Sequence, residues 1–170
     1  MNNNATATMN ATAITPEALL AHWQGHRRLT RRVVEAFPED TFSAFSVGGM
    51  RPFSELVVEM MGMAAPGIHG LVTGEWTDLD KLDHHSPIPA APTRQEVLQR
   101  WDKITETIDR LWPQIAPERF QEVEAAFGQY KQPIYATVLY FIDNEIHHRG
   151  QGYVYLRSLG IEPPPFWDRN

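Results

Sequence analysis

Apolar residues recur every three or four positions through four long stretches of this chain, and prolines or glycines punctuate each stretch. That spacing is the period of one helix face, so it commits the chain to packing amphipathic helices. Thr15-Pro16-Glu17 opens the first helix with a capping hydroxyl, a first-turn proline and an acid. Leu19, Trp23, Val33 and Phe37 form its stripe, and Pro38 stops it. After a loop with Gly48-Gly49, a second helix opens at Pro52, with Phe53, Leu56, Val57, Met60, Met63 and Ala64 facing the core. Pro66-Gly67 is expected to kink or end it. Thr93 and Glu96 match a capping box ahead of Val97, Trp101, Ile104, Ile108 and Leu111, the cleanest amphipathic run in the chain. Pro113 and Pro117 break this third helix, and a weakly patterned stretch reaches Tyr130. The last helix starts near Gln132-Pro133 and runs to Gly160, which suits a left-handed cap.

Residues 74–92 carry many breakers and no period, and so read as a long crossing loop. With no convincing strand and no repeat, the expected architecture is an all-α four-helix bundle over residues 14–170, a single domain. The first thirteen residues lack a basic start and an apolar middle, and read as a disordered lead. Three prolines keep the tail IEPPPFWDRN from being helical, and Phe166 and Trp167 are expected to dock it onto the bundle. The apolar runs are short, which argues against a transmembrane span. The absence of cysteine excludes disulfides, thiolate metal sites and cysteine nucleophiles, and fits a reducing cytoplasm. A net charge of -6 argues against nucleic acid or an anionic membrane as partner. Arg27, Arg28, Arg31 and Arg32 look like a basic patch but have no interleaved aromatic residues.

Chemistry in a bundle belongs to polar residues that interrupt apolar stripes. The densest such cluster is Asp143-Asn144-Glu145-Ile146-His147-His148-Arg149-Gly150-Gln151, inside an otherwise apolar helix. Residues four apart share a helix face, so Asp143 with His147, or Asn144 with His148, could clasp one ion. His148 lies nearer than His147 to the apolar arc of Val138, Ile142 and Leu156, which makes it the better inward ligand. A hydrated surface patch would account for the same residues. Glu59, between Leu56 and Met63, is a second candidate, because a carboxylate buried there needs a cation or an arginine, although an exposed glutamate is the reading the residues alone favour. His26 falls within the first helix's stripe, four residues after His22; a hydrogen-bonded core histidine is the commoner role for such a residue. His84-His85 lies in the long loop beside Asp80 and Asp83 and is expected to be solvated.

Asn144 to Gln151, followed by Tyr155-Leu156-Arg157 and Gly160-Ile161-Glu162-Pro163-Pro164, resembles the end of the DinB-like proteins, bacterial metal-binding four-helix bundles. The likeness runs from about Ile14, through Arg51-Pro52-Phe53-Ser54-Glu55-Leu56 and Gly74-Glu75-Trp76. The resemblance implies a divalent ion (zinc, nickel or manganese) held by one residue of the second helix and a four-spaced pair on the last. Those positions map to Glu59, Asn144 and His148, where two of the family's three histidines are replaced. His147 or a water could take the place of Asn144. The resemblance also implies a homodimer, and Leu139, Ile146 and Tyr153, on the far side of the last helix's apolar arc from His148, are the residues placed to face the partner. For function it implies a metal-dependent thiol transferase or hydrolase acting on small molecules, with a low-molecular-weight thiol as co-substrate and His147 or His26 moving protons. The alternative it leaves is a non-catalytic bundle, stripped of its metal ligands, with a stress or DNA-damage role.

Overall fold

The computed structural model describes residues 13–85 and 91–170, so the expected disordered lead falls almost wholly outside the described residues. Four long helices carry the fold: α1 (Pro16–Ala36), α3 (Phe53–Thr73), α4 (Arg94–Leu111) and α5 (Ile134–Ser158), with a single-turn α2 (Glu39–Phe42) between the first two. α1 and α3 lie diagonally, and each packs against both α4 and α5. The core between them is built from Trp23, Phe37, Phe53, Leu56, Ile68, Trp101, Ile108 and Leu156. Phe37 stacks on Phe53 with ring centres 4.6 Å apart, which closes the end where α2 crosses.

Local chemistry explains the boundaries. Thr15 caps α1, and both halves of the Thr93–Glu96 capping box start α4. α5 ends where Gly160 takes a φ of 76°, a left-handed conformation that suits glycine. At the far end of α3, Gly74 likewise has φ 78°, and Arg119 donates to the last-turn carbonyls of Gly70 and Leu71.

Five expectations need correction. Pro66 does not interrupt α3, which runs unbroken to Thr73. Burial on both flanks holds the helix through the missing hydrogen bond, aided by glycines that admit neighbours. A Cβ on Gly67 would lie 2.6 Å from the Phe141 ring, and one on Gly70 would lie 2.4 Å from Trp76. By length and composition the same α3 is apolar enough to cross a membrane, contrary to the reading of short runs, but 67% of that stretch is buried in the bundle. That is how the core helix of a bundle passes the test.

Strands do occur: β1 (Val123–Ala126) and β2 (Tyr130–Pro133) form an antiparallel hairpin pairing Val123 with Pro133 and Ala126 with Tyr130. Each strand is four residues long, too short for an alternation to show. Its turn places Phe127 at φ 55°, a costly conformation for a bulky residue. Burial of that ring against Trp76 and Phe141 holds it there.

The tail is fixed differently from the expectation. Phe166 and Trp167 are 64% and 73% exposed, while Asp168 pairs with Arg32 and the Arg169 carbonyl accepts from Arg28. Charges on α1 dock the tail, and the aromatic pair points outward. Finally, His84 is not a solvated loop residue. It is half-buried, with Nδ1 at the place a Cβ on Gly62 would occupy.

Candidate functional site

Adjacent residues on α5 are about 100° apart around its axis, so the polar run splits between two flanks. Asn144 and His148 face α3, whereas Glu145 and Arg149 face α1.

On the α3 flank the three residues expected at the site do meet. His148 Nε2 lies 2.9 Å from Glu59 Oε1, and Asn144 donates its amide N–H to the same oxygen at 3.0 Å. Arg51, just ahead of α3, donates to the other oxygen, Oε2, at 2.5 Å. Both Glu59 oxygens are thus engaged, by an imidazole, an amide and a guanidinium. These contacts, with the His148 hydrogen bond the largest influence, hold its carboxyl well below the usual range against the opposing effect of burial. On its other side His148 Nδ1 faces Gln151 Oε1 at 2.9 Å, while the Gln151 amide donates to Met50 Sδ at 3.5 Å. Both ring nitrogens of His148 therefore face side-chain oxygens, which fix the ring's orientation.

Sequence reasoning missed Arg51, Gln151 and Met50 as members of this site. Gln151 was within reach of that reasoning, since it follows His148 by one helical turn. Arg51 was not, because its side chain reaches eight residues along the chain across a loop–helix junction.

The donor set does not fit a divalent ion. One carboxylate, one imidazole and one amide converge, but the amide presents its N–H and the carboxylate already carries a guanidinium. Among the described residues, no three His, Asp or Glu side chains are grouped so as to hold a metal. His147 is exposed, its ring 5.0 Å from that of His148. His26 lies elsewhere, on the α1 flank.

That second flank holds a buried charge cluster invisible to periodicity. Arg27, Glu145 and Arg149 are 1%, 2% and 6% exposed. Thr30 donates to Glu145 Oε1 at 2.6 Å and accepts from Arg149 at 3.0 Å. The Arg27 guanidinium stacks 4.0 Å over the Trp101 ring and donates to Thr105 and to the Trp101 carbonyl. Arg27 is therefore a core residue and not part of a surface basic patch. Burial lowers its pKa to about 10, still charged at neutral pH, and the same burial pushes the Glu145 carboxyl up against the pull of Arg27 and Thr30. Arg149 donates to His26 Nδ1 at 2.9 Å. Burial first, and then the charge of Arg149, lower the His26 pKa to about 3. His26 is thus a neutral, hydrogen-bonded core histidine.

An all-α bundle with a polar site between two of its long helices is the class this architecture defines. The DinB family model matches residues 1–169, and the chain belongs to the DinB family. Two solved structures share the fold. A DinB-like protein from Bacillus cereus superposes with a TM-score of 0.69 at 17% identity, over 89% of this chain and 97% of that one. A DinB-like protein from Bacillus subtilis does so with a TM-score of 0.67 at 21% identity, over 88% and 96%. No curated protein matches the chain.

Proposed function

We propose that this chain is a DinB-family module that keeps the bundle and the α3–α5 site but works there without a resident metal and without metal-dependent catalysis. The observation that carries this reading is the engagement of both Glu59 oxygens by His148, Asn144 and Arg51. A carboxylate whose lone pairs are engaged by three N–H donors, one of them a permanent cation, has little left to offer a divalent ion.

A metal-dependent transferase or hydrolase acting on a small molecule, with or without a thiol, is the competing reading. It is favoured by the convergence of Glu59, Asn144 and His148 at one point. It requires Arg51 to leave Oε2 and His148 Nε2 to give up its proton. Elemental analysis of protein purified without chelator and without a nickel-affinity tag separates the two. The expected result is zinc, nickel and manganese each far below one ion per chain. One ion per chain, lost in His148→Ala, would install the enzyme reading instead.

A homodimer belongs to the same proposal. Leu139 and Ile146 are exposed on the outer face of α5, joined by Tyr135 and Val154, whereas Tyr153 is half-buried and contributes only its edge. Light scattering is expected to give twice the chain mass of 19.4 kDa, and a monomer mass would remove the dimer. The cysteine-free composition is compatible with a cytoplasmic setting.

A further inference from the structure

Metal exclusion at this site could come from lost ligands alone or from something that occupies their place, and the position of Arg51 decides between these. Its backbone is fixed from the opposite helix: the hydroxyl of Tyr155 on α5 donates to the Arg51 carbonyl at 2.9 Å, and the Tyr155 ring is fully buried against Phe45. Met50, the preceding residue, is tied to α5 by Gln151. The loop is thus pinned across the α3–α5 seam by two α5 side chains, and Arg51 is aimed back at Glu59. Glu59 is only 17% exposed at its side chain, so its charge needs a counter-ion. Arg51 supplies one while staying 45% exposed, half in solvent.

Resting on the reading that no metal is resident, we infer that Arg51 is the built-in cation of this site, a guanidinium that competes with a divalent ion for Glu59. Two consequences follow. Restoring an imidazole at position 144 leaves metal binding weak while Arg51 stays in place. Removing Arg51 frees Oε2, so the two changes act together and not independently.

Tag-free parent, Arg51→Ala, Asn144→His and the Arg51→Ala/Asn144→His double variant are titrated separately with zinc, manganese and nickel. Thermal shift and elemental stoichiometry are the readouts, and Arg51→Gln is the substitute if Arg51→Ala misfolds by circular dichroism. The double variant is expected to bind one ion per chain, at least about tenfold more tightly than Asn144→His, the scale at which groups around a metal's ligands tune its affinity. Tyr155→Phe combined with Asn144→His should fall between them, because it loosens the anchor and leaves the guanidinium. Equal affinity in Asn144→His and the folded double variant overturns the inference, as does a folded double variant blind to all three metals. If the parent is also metal-free in either case, the reading of a metal-free module stands and only the role of Arg51 falls. A parent holding one tight ion with Arg51 intact overturns both.

Discussion

The two flanks of α5 use the same ingredients to opposite ends. On the α3 side, one glutamate meets a histidine, an amide and an arginine that is 45% exposed. On the α1 side, one glutamate meets two arginines, all three sealed from solvent. The first cluster's arginine already stands half in water, which makes this cluster the more adjustable of the two. The second cannot release any member without leaving a bare charge in the core, so it is structural. A sequence offset of a single residue, Asn144/His148 against Glu145/Arg149, separates the two roles.

The largest expected effect breaks the buried side. Glu145→Ala leaves Arg27 and Arg149 without their shared anion and should cost about 3–5 kcal/mol in chemical denaturation. A loss near that of a surface substitution would mean the cluster is hydrated. Trp101→Ala, which removes a core ring together with the platform under Arg27, should cost a comparable amount, about 3–5 kcal/mol.

Acid probes both flanks in the same direction but in different windows. His26 is neutral in the folded protein down to about pH 3, whereas the unfolded chain takes up that proton below 6.5. Stability should therefore be full above pH 6.5 and fall as pH drops, by up to about 1.4 kcal/mol per pH unit. The Glu59 carboxyl is depressed from 4.5, so the stability from its pairing is present above that pH and is lost only on further acidification. His26→Gln should flatten the curve between pH 6.5 and 4.5. An unchanged slope in His26→Gln would contradict the neutral buried imidazole.

The smallest effects belong to the exposed side. Arg51→Ala should cost less than either buried-side change, about 1 kcal/mol, since the Arg51 side chain is 45% exposed and water can replace part of what it gives Glu59. His147→Ala should cost about 0.5 kcal/mol or less. A multi-kcal loss from Arg51→Ala would erase the distinction between the flanks.

The fold was largely readable where local chemistry and period agreed, as at the Thr93–Glu96 box and the Gly160 cap. It was unreadable where tertiary packing overrode them. Pro66 is carried through α3 by burial, and Phe127 is held at positive φ by the rings around it, in a hairpin too short to show a period. The site divides in the same way. Four-residue spacing and family likeness brought out Asn144, His148 and Glu59. The contact from Arg51 depends on a loop pinned by Tyr155, which no spacing encodes. Arg27, Glu145 and Arg149 were hidden because charges on a helix ordinarily face water, and only the packing of α1 against α4 and α5 shows these three inside.

The charge state of Glu59 in the untreated protein tests the central claim most directly. A carbon-13 NMR titration of its side-chain carboxyl, run on parent protein with and without chelator and again with equimolar zinc, reads it. The expected result is a single resonance that stays ionised well below pH 4.5 and is the same in all three samples. A Glu59 signal that shifts on adding chelator or zinc, or that titrates as an ordinary exposed glutamate, would contradict a carboxylate neutralised by His148, Asn144 and Arg51.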